Sequence, residues 1–214
     1  LSEAKQLEQW TGDFGREYTD RNNLTLEQLE ADYSAKYGVL RSALNAEFLA
    51  AMPKSARILE VGCNVGNQLL LLQKAGYRDL WGIDIGDYAL EKAKTQTTGI
   101  NLVKAAAQDI PFKDGFFDLI FTSGVLIHIR PADLPEALDE ICRASKRFVW
   151  GFEYYAEKCE EINYRGNSDL LWKNDFKRVF LEKHPEFTLS KSRKLKYLDS
   201  ENVDEMFLLE RMKR

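Results

Sequence analysis

The sequence predicts an α/β chain: a doubly wound, mostly parallel sheet with an antiparallel strand pair near the C-terminus and a helical extension at the N-terminus. Three observations carry that expectation. Short apolar runs alternate with helical stretches over residues 56–152, the pattern of a parallel sheet covered on both faces. A turn with two glycines, "EVGCNVGN" at 60–67, separates the first run from the helix after it. Beyond residue 153 the alternation stops, and two strand-like runs follow each other with only "DSEN" between them.

Taken in order, "WTGDFGREYTDRNN" at 10–23 mixes glycine, aromatics and charge without a clear period and reads as an ordered loop. "LTLEQLEADYSAKYGVLRSALNAEFLAAM" has apolar residues at helical spacing, with Thr25 as an N-cap and Gly38 as a break between two helices. "RILEVG", "DLWGIDI", "NLVKAA", "FDLIFTSG" and "KRFVWGF" are the strands of the central region, with helices at 67–75, 87–95 and 131–144. A polar, aromatic stretch "EYYAEKCEEINYRGNSDLLW" leads to a helix at 173–183, then to the strands "FTLSKSRKLKYL" and "DEMFLLERM". The domains drawn from this are an extension or lid at 1–55 and one domain at 56–214, which carries an insertion at 153–186.

At 214 residues the chain has the length of one domain with elaborations. Its 44% hydrophobic and 30% charged content is that of a soluble globular protein. A net charge of -4 argues against a general nucleic-acid surface. Residues 1–145 carry 15 Lys+Arg against 21 Asp+Glu, and residues 146–214 carry 15 against 13. Lys191, Arg193, Lys194 and Lys196 supply the local basic excess and read as the solvent face of a strand rather than a phosphate track. Cys63, Cys142 and Cys159 are odd in number and lack CxxC spacing, so neither a disulfide framework nor a metal site is expected, and a cytoplasmic location is. No apolar run reaches the roughly 18 residues of a membrane span. The polar, acidic "LSEAKQLEQW" does not fit a signal peptide, and with no first Met a trimmed or processed chain is the expectation.

A helix that starts just after a strand offers free N–H groups and a partial positive charge. Dinucleotide loops use a third glycine to seat a pyrophosphate there. This loop keeps only Gly62 and Gly66, with Asn67 near the third position, and it sets the acid Glu60 beside the turn. Both features oppose a pyrophosphate. They suit S-adenosylmethionine, which has a cationic amino-acid end for Glu60 to favour and a methionine portion to lie along Gly62. Asp84 in "WGIDIGDYAL", 24 residues after Glu60, falls at the end of the second strand, where an acid takes ribose hydroxyls.

On these residues the chain resembles the class I S-adenosylmethionine-dependent methyltransferases over residues 56–152. "LEVGCNVGN" is similar to the family's first motif, "GIDIG" to its second, and "AAAQDIPFKDGFFDLIFTSGVLIHI" to its third and fourth. The resemblance implies a Rossmann-like methyltransferase sheet, S-adenosyl-L-methionine as cofactor and S-adenosyl-L-homocysteine as product. It implies cofactor contacts at Glu60, Gly62, Asn64, Gly66 and Asp84, with Ile85 over the adenine face. Gln108 and Asp109 would face the adenine, the Ile110 amide would meet a ring nitrogen, and Ser123 and Gly124 would lie beside the methionine. The N-terminal stretch and "NYRG" are further similar to methylases associated with pseudaminic acid biosynthesis, which implies a sugar or sugar-acid acceptor and a bacterial surface-glycan setting.

Either Trp10, Phe14, Tyr18 and Arg21 close over the cofactor, with Tyr18 or Arg21 at its carboxylate, or the aromatics staple the segment to the sheet and Arg21 is a surface cation; Tyr18 is also a catalytic candidate. His128, just past the fourth strand, is either a general base or a structural residue, with Glu153 as the reserve base. Tyr154, Tyr155, Tyr164 and Arg165 are candidates for the acceptor site; Arg165 either holds an acidic group or pairs with Glu157, Glu160 or Glu161. Trp172 and Phe176 read as core. No Asn-Pro-Pro-Tyr-like motif follows the fourth strand, where "TSGVLI" stands, and an RNA acceptor is not expected. The expected partner is a small-molecule acceptor, with neither nucleic acid nor membrane. The alternatives are methylation of a small carboxylic acid, or a silent cofactor-binding protein that acts within a complex.

Overall fold

The computed structural model describes residues 3–212. Seven strands share one sheet in the order β3-β2-β1-β4-β5-β9-β8, and a second sheet has two short strands. The chain divides into one unit ending at Ala106 and another starting at Ala107.

The first unit opens with four helices, α1 (Glu3–Thr11), α2 (Asp13–Arg21), α3 (Leu26–Tyr37) and α4 (Arg41–Phe48). Thr25 caps α3 through a capping box with Gln28, and Gly38 ends it in the left-handed region, as the sequence suggested. The stretch expected as a loop is instead the helix α2. Phe14 and Tyr18 lie one turn apart on it, and Trp10 of α1 meets both rings edge-on at 5.1 and 5.2 Å. The glycines that hid this helix serve its packing. A Cβ at Gly15 would lie 1.7 Å from the Trp10 carbonyl oxygen, so only glycine lets the two backbones approach. Next come β1 (Arg57–Val61), α5 (Asn67–Lys74), β2 (Asp79–Asp84), α6 (Asp87–Gln96) and β3 (Asn101–Lys104). β2 pairs in parallel with both β1 and β3, and Ile58 and Leu59 are fully buried.

The second unit contains β4 (Phe117–Ser123), a 3₁₀ turn at Leu126–His128, α7 (Leu134–Ala144) and β5 (Ser145–Tyr154). The short antiparallel pair β6 (Glu160–Glu161) and β7 (Trp172–Lys173), α8 (Phe176–Lys183), β8 (Phe187–Lys196) and β9 (Val203–Arg211) complete it. β5 runs parallel to β4, while β9 runs antiparallel to both β5 and β8. Asp204 through Leu209 are buried along β9, whereas β8 is mostly exposed. Lys191, Arg193, Lys194 and Lys196 therefore stand on an outer strand, where charge discourages further pairing. Trp172 and Phe176 are buried in the core. Among the described residues no helix is long and apolar enough to cross a membrane.

Gly15→Ala should force α1 and α2 apart. We expect a stability loss of about 1–3 kcal/mol in denaturant unfolding; an unchanged midpoint would refute the packing account.

Candidate cofactor and active site

In the first unit, the turn after β1 is held by backbone hydrogen bonds within itself and to β2. The Cys63 amide donates to Ile83 O at 2.9 Å and the Gly66 amide to Cys63 O at 2.8 Å. Gly62, Asn64 and Gly66 all take positive φ (70°, 46° and 82°), which glycine adopts freely and asparagine tolerates. Asp84 ties this turn to the next one. Its Oδ2 accepts from the Asn64 amide at 2.9 Å and its Oδ1 from the Gly86 amide at 2.8 Å. Each carboxylate oxygen keeps a further lone pair for a ligand hydroxyl. Ile85 follows directly, half-buried.

Glu60 is 3% exposed. Burial pushes its carboxyl well above the usual range, Asp84 adds to the rise, and Arg41 and the Leu69 amide oppose it. Asp84 is itself raised by burial, against the amides that hold it.

The N-terminal helices reach the same turn. Asn67 Nδ2 donates to Asn22 O at 3.1 Å. Tyr88 OH donates to Asp20 at 2.8 Å, Lys92 lies 3.6 Å from Asp20, and the side chains of Asn23 and Gln96 hydrogen-bond. α2 is thus anchored to α5 and α6, with Tyr18 half-buried against Trp10. Arg21 pairs with the exposed Glu17 at 3.7 Å, yet its Nη2 is buried with no hydrogen-bond partner.

Orphaned buried atoms concentrate here. Besides Arg21 Nη2 they include Glu60 Oε2, Asn64 Oδ1, Asn67 Oδ1 and Gln68 Oε1. Buried polar groups are seldom left unpaired, because each costs about 1–3 kcal/mol. A set of acceptors with one guanidinium donor matches the ammonium and carboxylate of an amino-acid end. Asn67 and Gln68 were not assigned a role from sequence, where side-chain amides at a helix start have no distinctive signal.

In the second unit, Ser123 ends β4 and Gly124 follows with φ 67° and open space where a Cβ would stand. Glu153, at the end of β5 and 2% exposed, accepts from the Val125 amide at 3.1 Å and the Ile127 amide at 3.4 Å. Burial raises its carboxyl to about 7, against hydrogen bonds from Thr122 and the backbone of Val125, Leu126 and Ile127. With its oxygens so engaged, Glu153 shapes the 125–127 turn that presents His128. His128 Nδ1 lies 2.8 Å from Leu170 O. A carbonyl only accepts, so Nδ1 carries the proton and Nε2 the lone pair. Burial lowers the ring's pKa to about 4, which keeps it neutral at pH 7. The Tyr164 ring lies 5.5 Å from that of His128.

The other expected acceptor residues are dispersed. Tyr154 pairs in register with Asp204, and Lys194 Nζ sits 3.6 Å over the Tyr155 ring. Arg165 is exposed at φ 54°, with no ion-pair partner among the described residues. The Ile110 amide, expected to meet an adenine nitrogen, donates instead to Glu140 Oε2 at 2.9 Å, and Arg143 takes the Ile110 carbonyl. This pair from α7 reaches the turn and occupies its backbone, while Gln108 is half-buried and Asp109 exposed.

A mostly parallel sheet with an acid-bearing glycine turn and a second acid after the next strand defines a nucleoside-cofactor domain. Residues 59–148 match the family model described as a methyltransferase domain. An uncharacterized methyltransferase of Synechocystis is 32% identical over 103 residues, 48% of each chain. A probable methyltransferase of Aspergillus luteorubrus is 29% identical over 162 residues, 68% of this chain and 56% of that protein. The chain spans about half the length of the curated relatives it matches. The crystal structure of Burkholderia thailandensis 1,6-didemethyltoxoflavin-N1-methyltransferase, with 1,6-didemethyltoxoflavin and S-adenosylhomocysteine bound, matches at TM-score 0.73. It covers 100% of this chain and 92% of its own, at 15% identity, a likeness of fold. Residues 59–148 thus resemble methyltransferase domains, and the fold around them is that of solved methyltransferases. The orphaned set around Glu60 fits the amino-acid end of S-adenosyl-L-methionine.

Glu153 makes stability pH-dependent. Between the ordinary carboxyl value of 4.5 and its folded value of about 7 the folded state binds more protons than the unfolded one, so stability falls as pH rises through that window. The loss is on the order of 3 kcal/mol. Glu153→Gln, which mimics the protonated form, should gain by that amount relative to the parent between pH 4.5 and pH 8 in denaturant unfolding. A constant offset across that range would refute the assignment.

Proposed function

We propose that the chain methylates a small polar metabolite, at an oxygen or nitrogen of a sugar or a nonulosonic-acid-type compound, using S-adenosyl-L-methionine. The observation that carries the cofactor half of this reading is the set of buried, unpartnered atoms Arg21 Nη2, Glu60 Oε2, Asn64 Oδ1, Asn67 Oδ1 and Gln68 Oε1 around one glycine turn. In this reading Arg21 takes the cofactor carboxylate, Glu60 and the side-chain amides take the ammonium, and Asp84 takes the ribose hydroxyls. Tyr18 and Trp10, on the anchored helices, exclude water from the methyl group.

Methyl transfer is an in-line displacement at a carbon the sulfonium already activates. The protein's task is to place the nucleophile and, for a hydroxyl or ammonium acceptor, to remove its proton. His128 is the general base in this reading. The Leu170 carbonyl fixes its tautomer, and the neutral ring has a lone pair at Nε2 to receive the proton. Glu153 positions it. Tyr164 beside His128 and the exposed guanidinium of Arg165 support an acceptor carrying hydroxyls and an acidic group. The sugar assignment rests further on the likeness of the N-terminal stretch and "NYRG" to pseudaminic-acid-associated methylases, and carries with it a bacterial, cytoplasmic setting.

Calorimetry with S-adenosylhomocysteine tests the cofactor half. We expect saturable binding that Asp84→Ala weakens by about 1–3 kcal/mol; no binding at millimolar ligand would overturn the reading. In turnover on a panel of sugar acids, His128→Ala should slow the reaction about 100-fold with binding retained. Cofactor binding without turnover on any acceptor would instead favour a silent partner protein.

A further inference from the structure

One carbonyl, that of Leu170, decides which nitrogen of His128 carries the proton. Leu170 lies outside regular secondary structure, in the arm that joins β6 to β7. The direction of its carbonyl is therefore set by its neighbours, and hydrogen bonds hold them on both sides. On the C-terminal side the Ile162 amide donates to Leu171 O at 2.8 Å, continuing the β6–β7 ribbon. On the N-terminal side the Asp169 amide donates to Glu161 Oε1 at 2.7 Å. Asp169 takes φ 59°, in the left-handed region that aspartate visits more readily than most residues. At the tip of the arm, Tyr164 and Asn167 exchange both backbone hydrogen bonds, at 2.8 and 3.0 Å. The Tyr164 ring lies 5.5 Å from that of His128, so the arm touches the ring twice, through an aromatic face and through a carbonyl. The sequence offered Glu161 as an ion-pair partner for Arg165; its carboxylate accepts from backbone instead.

We propose that Glu161 is a positioning residue for His128: by holding the Asp169 amide it aims the Leu170 carbonyl at Nδ1 and so keeps the Nε2 lone pair for the acceptor's proton. This rests on the reading of His128 as the base. The path is continuous and short. Glu161 Oε1 accepts from the Asp169 amide at 2.7 Å, the chain runs one residue on to Leu170, and Leu170 O accepts from His128 Nδ1 at 2.8 Å. A carboxylate holds an amide more strongly than a neutral acceptor does. When the Leu170 carbonyl turns away, the ring proton is free to sit on Nε2, and a ring in that form offers the acceptor hydroxyl no lone pair there. The same carbonyl stabilises the imidazolium that forms once Nε2 has taken the proton. Glu161 is exposed, and its replacement leaves the buried Leu170, Leu171 and Trp172 that anchor the arm untouched.

Nitrogen NMR of the imidazole rings tests this without any ligand. The chain has two histidines, and the signals missing from His128→Ala are those of His128. At pH 7, where burial keeps the ring neutral, the parent should carry its proton on Nδ1. Glu161→Ala should move the tautomer ratio toward Nε2–H by about five- to tenfold, the scale of one net hydrogen bond. Glu161→Gln keeps an oxygen acceptor at that place and should recover most of the shift. An unchanged ratio in Glu161→Ala, or equal shifts for Ala and Gln, would overturn the proposal. In turnover, Glu161→Ala should lower kcat by about five- to tenfold and change KM by less than about twofold. In a His128→Ala background the same change should alter the rate by less than about twofold, because the group it acts through is gone. Equal losses in both backgrounds would leave Glu161 a structural residue of the arm. The base reading fails separately, if His128→Ala turns over at the parent rate; the tautomer ratio is measured with neither acceptor nor cofactor present and decides the role of Glu161 on its own.

Discussion

The first unit depends on the Asp84 carboxylate. By accepting from the amides of Asn64 and Gly86 it joins the turn after β1 to the turn after β2, and so fixes two segments that have no regular hydrogen-bond ladder of their own. Backbone amides in tight turns must be paired somewhere, and here one side chain pairs two of them from different turns. The positive φ at Gly62, Asn64 and Gly66 follows from the same geometry. A residue at the end of a strand thereby becomes a structural clamp whose oxygens each keep a lone pair.

The second unit repeats this logic with a different outcome. Glu153 also ends a strand and also binds turn amides, those of Val125 and Ile127, but it is more completely buried than Asp84 and its carboxyl rises to about 7. Three carboxyls at carboxyl-terminal strand ends, Glu60, Asp84 and Glu153, are all raised by burial. Such groups are held ready by local partners rather than by water. Acids with perturbed titration are candidates for functional roles, and in each unit of this chain they fall at strand ends.

Much of this was legible in the sequence. The strand and helix alternation, the glycine turn and the acids at 60 and 84 are local signals, set by hydrophobic period and by residues with special backbone freedom. The N-cap at Thr25 and the break at Gly38 are local too, and the structure has both. The helical period of Phe14 and Tyr18 was present as well, but Gly12 and Gly15 concealed it, because a glycine inside a helix is favourable only when a partner backbone needs the space. Arg41 shows the opposite limit: an arginine on a polar, helix-prone stretch looks solvated until packing buries it completely.

By itself, then, the sequence determined the class of fold and the alternation of strands and helices over residues 56–152, since those follow from periodicity and short-range chemistry. Only the tertiary structure decided which groups are spoken for. It gave the Ile110 amide to Glu140, the Glu153 oxygens to a turn, and a proton to His128 Nδ1 through Leu170. It also left Arg21 Nη2 and Glu60 Oε2 without partners. Hydrogen-bond assignment and burial depend on residues distant in sequence, and no local pattern encodes them.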